Sequence, residues 1–324
     1  MVKIRRHALA ITFLIGAVCH SFSVYAAEPG NKAPPPEAVV PEQEGFEWKV
    51  LKVWYDFSKS IEKTAEKTDL LLAGKKYTDK VNETSISLSQ LVGLVEGGRE
   101  RSSTDFGINL RLPNLEKRWQ LRFTSYDEEE EARDLQQRRV RTRGRDRDYG
   151  AGLFFFRKLG NVKVTYQPRL ALKDPLEVSH NLRFESVADQ KPLRLAPSLR
   201  LFAEPEKGTG VFGAIEFIAE LNKFTSFSVQ NEAEYRERGN YFLSQHGVGI
   251  DYALTDDKGV GFATIVGLNN RPTYHLDILT LAPAYSHEIY LKRLKYSLTP
   301  YLAFAKGDNF KGKAGISLTV ELVF

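Results

Sequence analysis

One pattern constrains this chain more than any other. From Asn82 to Phe324, apolar and polar residues alternate in short stretches separated by polar or glycine-containing breaks. Side chains along a strand point to opposite faces in turn, so each stretch reads as a strand with one apolar and one polar face. Val162, Val164, Tyr166, Leu170 and Leu172 against Lys163, Thr165, Gln167, Arg169 and Lys173 show this most cleanly. The breaks divide residues 81–324 into about 14 strands, or 12 or 16 if one hairpin is merged or split. The twelfth, from Tyr274 to Tyr290, slips in phase near Pro283. The expected fold is all-β: a transmembrane antiparallel β-barrel preceded by an amphipathic α-helix.

The last stretch puts Ile316, Leu318, Val320, Leu322 and Phe324 on one side and Gly315, Ser317, Thr319 and Glu321 on the other. With its final aromatic residue it resembles the terminal strand of bacterial outer-membrane β-barrels. That strand is read by the barrel-assembly machinery, so the resemblance implies this machinery as a partner and Phe324 as the assembly signal. An even strand number is what a barrel with both termini in the periplasm requires.

The start of the chain agrees with export. Lys3, Arg5 and Arg6 precede an apolar run from Ala8 to Val18, and Val24-Tyr25-Ala26 suits a signal peptidase, giving a signal peptide over residues 1–26. The run is shorter than the roughly 20 residues a spanning helix needs. A lipoprotein signal ending at Cys19 competes, but Val18 fits poorly as the small residue required before it. Cys19 is the only cysteine, so the mature chain holds neither a disulfide nor a thiolate metal site. Loss of Lys3, Arg5 and Arg6 takes the net charge from +5 to +2, and nothing in the charge points to nucleic acid. A mean hydropathy of −0.35 resembles a soluble protein, yet a barrel strand is apolar on one face only and gives a weak hydropathy signal. A soluble β-sandwich also alternates. It does not account for the export signal, the aromatic terminal strand, the missing cysteines and the steady hairpin spacing together. The expected location is the outer membrane of a Gram-negative bacterium, in contact with its lipids and lipopolysaccharide.

Residues 27–45 contain Pro29, Pro34, Pro35, Pro36 and Pro41 and read as an extended linker. In residues 46–80, Val50, Trp54, Phe57, Ile61, Ala65, Thr68 and Leu72 recur at helical spacing among lysines and glutamates. Three roles stand open for this helix in the periplasm. It lies on the membrane or docks a periplasmic protein through Trp48, Trp54, Tyr55 and Phe57, or it plugs or braces the barrel mouth.

The longest break, Asp127 to Asp148, holds Glu128, Glu129, Glu130 and Glu131, then Arg138, Arg139, Arg141, Arg143, Arg145 and Arg147. Blocks of like charge read as a solvated, mobile loop. On the outer side its arginines suit lipopolysaccharide phosphates, and its carboxylates suit divalent ions. No long inward-folding loop is expected.

If the apolar phase faces lipid, the polar phase lines the lumen. One wall is then basic, through Arg111, Arg122, Lys163, Arg169, Arg183, Arg194 and Arg200. The other is acidic, through Glu216, Glu220, Glu232, Glu234, Asp251, Asp277 and Glu321. Arg236 and Glu185 break the separation. A hydrated pore keeps these walls apart, whereas a plugged lumen lets them pair.

No motif for a nucleotide, cofactor or zinc is present. Ser244 and His246 share the outward phase near one strand end, a pairing capable of ester cleavage, although the sequence assigns no Asn or Asp to orient the histidine. His275 and Asp277 are too few to make a metal site. The chain is therefore read as a non-enzyme without cofactors, with a lipid-modifying hydrolase using Ser244 and His246 as the alternative.

Thr68-Asp69-Leu70-Leu71-Leu72, Val81-Asn82-Glu83-Thr84-Ser85 and Leu110-Arg111-Leu112-Pro113-Asn114-Leu115-Glu116-Lys117-Arg118-Trp119-Gln120-Leu121 carry a further resemblance. They are similar to an uncharacterised proteobacterial outer-membrane β-barrel family with an N-terminal periplasmic helix. The resemblance spans about the first third of the mature chain, and it implies fold and location but no site residues. The function expected is a porin-like channel or a barrel scaffold for a periplasmic partner.

Overall fold

Alternating residues can satisfy their backbone polar groups in a membrane only if the strands pair without leaving an edge. The computed structural model describes residues 46–72, 84–98, 100–111, 119–289 and 293–323. The signal peptide, the proline-rich linker and Phe324 lie outside them. Helix α1 spans Phe46–Leu72. Ala65 and Asp69, four apart on one helical face, are buried, while Lys59, Lys63 and Lys67 are exposed. The side chains of Trp48, Trp54 and Phe57 lie outside the described residues. The chain divides into two compact units at Ile61, within this helix, and the second unit contains the sheet.

That sheet has 15 antiparallel strands. They are β1 (Ser85–Val95), β2 (Arg101–Arg111), β3 (Trp119–Thr124), β4 (Gly150–Leu159) and β5 (Val162–Ala171). Then come β6 (Glu177–Ser186), β7 (Ala188–Gln190), β8 (Leu193–Glu204), β9 (Gly208–Glu220) and β10 (Thr225–Arg236). The last are β11 (Tyr241–Ala253), β12 (Lys258–Asn269), β13 (His275–Ile289), β14 (Leu294–Ala305) and β15 (Gly312–Val323). Neighbours in sequence pair, apart from β6 and β7, which both pair with β8, and β1 also pairs with β15, so the sheet closes into a barrel. β6 and β7 lie end to end along β8 in one register, with Glu185 opposite Ser198 and Ala188 opposite Leu195. The interruption falls opposite Pro197, which has no N–H to donate. The two pieces act as one, and the barrel is 14-stranded.

The phase change expected near Pro283 occurs elsewhere. Gly267 faces Ile278 and Leu268 faces Leu276, which leaves Asp277 as the extra residue of a bulge. Across Pro283 the register is kept, with Leu281 opposite Leu302 and Tyr285 opposite Leu298. The ladder lapses there because Pro283 faces Pro300 and neither can donate.

The outward phase is apolar and exposed, as in Leu195, Leu199, Ile215, Val248, Ile250 and Phe262. Aromatic pairs flank it at both ends, Phe106 with Tyr149 and Phe242 with Tyr274 at one, Trp119 with Phe155 and Phe224 with Tyr252 at the other. Such an apolar band between aromatic girdles matches a bilayer.

Candidate functional site

The connection between β3 and β4 holds two short helices, α2 (Glu128–Glu131) and α3 (Leu135–Val140). Each starts on an aspartate that accepts from the amides of its first turn: Asp127 from Glu129 and Glu130, Asp134 from Gln137. Leu135 (0% exposed) and Val140 (1%) pack with Ile265 of β12, Ala282 of β13 and Tyr301 of β14. The Leu135 amide donates to Glu232 Oε1 at 2.7 Å and to Gln245 Oε1 at 2.6 Å. Ser317 Oγ of β15 donates to the Val140 carbonyl at 2.8 Å, and Arg141 reaches Ser89 of β1. One segment can meet strands all around a closed sheet only from inside. The loop lies in the lumen.

This overturns the expectation of a mobile outer loop and of a lumen without an inward-folding loop. The physical reason is that the loop's charges are matched by the wall. Its acidic part pairs with cations from β3 to the β8–β9 turn: Glu128 with Arg122, Glu129 with Arg200 at 2.9 Å, and Glu130 with Lys207 at 2.7 Å. Its basic part pairs largely with carboxylates on β8 to β11. Arg133 lies 2.5 Å from Glu204 and 3.2 Å from Glu234, Arg138 2.6 Å from Glu232, and Arg139 3.9 Å from Asp251. Arg145 bonds Glu131 within the loop and lies 3.5 Å from Asp105 of β2. Asp148, at the far end of the loop, holds Arg169 at 3.1 Å.

Buried ions lose hydration, so such pairs persist only with good geometry and added contacts. Arg133 pairs with two carboxylates and its guanidinium lies 4.0 Å over the Phe202 ring, while its Nε and Nη1 make no hydrogen bond among the described residues. Burial works against its charge, but Glu204 and Glu234 more than offset this, and its pKa rises. Burial likewise opposes the charge on Arg145. Its hydrogen bond to Glu131 and the charges of Tyr126, Glu131 and Asp105 raise its pKa nonetheless. Burial pushes up the Tyr126 hydroxyl beneath the same guanidinium.

Of the residues assigned to the lumen from sequence, Arg122, Arg169, Arg200, Glu232, Glu234 and Asp251 meet the loop. Among the described residues, the others do not pair with it. Lys163 and Arg183 pair with Glu185, Glu216 accepts from Gln230, and Glu220 lies 3.8 Å from Lys191. Asp277 lies 3.9 Å from His275, Arg194 is exposed, and Glu321 lies opposite Ser89 and Lys295. The side chain of Arg111 is outside the described residues. Sequence reasoning missed Asp105, Arg133, Glu204 and Leu135. The signals were Asp127 and Asp134 standing three residues before Glu130 and Gln137, the pattern of paired helix starts.

On the outer face, His246 Nδ1 lies 2.8 Å from Asn231 Oδ1. The structure thus supplies the partner that the sequence did not assign. Ser244 Oγ instead bonds the Tyr274 hydroxyl at 3.1 Å, and among the described residues no hydrogen bond joins Ser244 to His246. No group of three or more His, Cys, Asp or Glu placed to hold a metal ion occurs among them either.

A closed antiparallel barrel with an apolar exterior between aromatic girdles defines the class: a transmembrane β-barrel. No family model matches the sequence, and no curated protein matches it. Several solved structures resemble the fold. A loop-deletion mutant of OmpT, an outer membrane protein of Vibrio cholerae, aligns over 75% of this chain and 99% of its own, with a TM-score of 0.47 and 5% identity. The outer membrane channel DcaP of Acinetobacter baumannii aligns over 75% and 97%, at TM-score 0.46 and 6% identity. The KdgM porin aligns over 74% and 99%, at TM-score 0.36 and 8% identity.

Proposed function

We propose that this protein is a porin-like channel whose passage is set by its β3–β4 loop. About eight strands make a barrel that side chains alone fill. Fourteen enclose more, and here the loop takes up that space. The observation that carries the reading is the reciprocal pairing, with the acidic part of the loop on wall cations and its basic part on wall carboxylates. Toward the β4–β5 turn, Lys163, Arg194, Glu220 and Asp251 remain exposed. In this reading they form a charged mouth, basic on one side and acidic on the other, that orients polar solutes. Thr165 Oγ1, Asn181 Oδ1 and Arg200 Nε are buried without a hydrogen-bond partner among the described residues. Buried polar atoms in that condition take water, which supports a wet seam between loop and wall.

Reconstitution into a planar bilayer tests it. Discrete ion steps are expected from the purified barrel, and a barrel that is folded yet silent at every voltage removes the channel reading.

A further inference from the structure

The membrane-facing surface carries a feature that the channel does not use. A hollow of about 650 Å³ lies across β6 to β11. Two adjacent rungs of the sheet make it. One runs through Leu199, Gly213, Ala233 and Ser244, each opposite the next, and the other through Pro197, Ile215, Asn231 and His246. Leu199 and Ile215 are exposed, so both rungs point outward. The small side chains of Gly213, Ala233 and Ser244 form a trough beside the ridge of Leu199 and Ile215. A Cβ added at Gly213 meets nothing within 4 Å.

Polar groups stand in this apolar setting. An ionisable side chain within the hydrocarbon is costly and marks a site unless a partner accounts for it. His246 and Asn231 are both exposed, and they satisfy each other only in part. If imidazole Nδ1–H donates to Asn231 Oδ1, the pair is left with the Asn231 amide N–H as donor and His246 Nε2 as acceptor. If the amide is turned, Asn231 Oδ1 becomes the acceptor and Nε2–H the donor. Either way the neutral pair keeps at least one free donor and one free acceptor side by side, in a medium with no water to meet them.

We propose that this face is the interface between two copies of the barrel. A two-fold axis along the membrane normal brings the Asn231–His246 pair of one copy onto the same pair of its partner, so that each donor finds an acceptor. A self-complementary pair is what an isologous contact requires. Small residues let membrane-embedded surfaces approach closely, and Asn, His and Ser bond across such contacts. The Gly213–Ala233–Ser244 trough then receives the ridge of the other copy.

Cross-linking in intact envelopes tests this without detergent. In a Cys19→Ser chain, free of native cysteine, Val248→Cys, next to His246 on the same exposed face of β11, leaves the pair intact and is expected to give a covalent dimer with a short bifunctional thiol cross-linker, while Leu94→Cys, on the exposed face of β1, gives none. For the chain with native Asn231 and His246 in lipid nanodiscs, a two-copy mass is expected by native mass spectrometry. Gly213→Leu, which fills open space, and His246→Leu should each lower the dimer fraction at least tenfold while the barrel stays heat-modifiable on gels. A single-copy mass, a dimer indifferent to both variants, or a single copy retaining one phosphatidylethanolamine that Gly213→Leu displaces would each overturn the proposal.

Discussion

Arg133 Nη2 lies 2.5 Å from Glu204 Oε1, with the two side chains 1% and 8% exposed. A cation from the β3–β4 loop is thus sealed against the wall by a strand end 71 positions away. The same guanidinium holds Glu234, so Arg133→Ala removes the cation these two buried carboxylates share and leaves Glu204 only Lys207 at 3.4 Å and Glu234 only Arg236. Breaking a buried pair from one side costs about 3–5 kcal/mol. Here the cost falls on the seat of the loop, because the strand ladders are untouched. Trypsin is expected to cut at Arg138 to Arg143 in Arg133→Ala while the barrel remains folded on a gel. A loop as resistant as before the change counts against the seat.

The apolar side of the seat is testable without altering charge. A Cβ at Gly247 would lie 2.8 Å from Leu135 Cδ2, and Leu135 is 0% exposed. Gly247→Val is therefore expected to lift α3 off β11. Leu135→Ala should loosen it through a cavity costing about 2–5 kcal/mol. Hydrogen exchange at the amides of residues 135–140 reads both changes, and unaltered protection would mean that the apolar contact does not hold the loop.

Much of the barrel was legible because alternation survives any local context. The count of 14 followed from it, since one slipped residue would turn a whole apolar face inward. What alternation could not place were departures that depend on partners. The bulge at Asp277 rests on its pairing with β12, and Pro283 drew the reading because it is visible in sequence. The loop misled for a related reason. Like-charge blocks are solvated when nothing opposes them, but Glu129 and Arg133 are opposed by Arg200 and Glu204, more than 60 positions away. Acid block before basic block mirrored the order of the walls, a match that becomes visible only once the barrel is closed.

The pH response should divide by location. The pKa values of Arg133 and Arg145 are raised above the ordinary arginine value, so what their charges contribute is fully present below that value and is lost only as the pH passes the raised one. The contacts that Arg133 and Arg145 make are expected to stay protected on the alkaline side. At the β11–β12 turn, the Thr255 hydroxyl bonds Asp257 at 2.6 Å and His287 lies 3.1 Å away. They hold the carboxyl of Asp257 below its ordinary 3.8, the Thr255 hydrogen bond foremost, against an opposing effect of burial. Its contribution is present above 3.8 and is lost as the pH falls through the lowered value. In a carbon-detected NMR titration, Thr255→Val is expected to move that carboxyl back toward 3.8. A titration unchanged by the substitution would assign the depression to His287 instead.

The most direct test compares single-channel conductance of the intact chain with that of a chain in which residues 128–147 are replaced by a short glycine-serine link. Residues 128–147 lie between β3 and β4 and include no strand residue, so the replacement alters the content of the lumen and not the wall. Small steps from the intact barrel and steps several-fold larger from the shortened one are expected. Equal conductance in the two would contradict a passage set by the loop.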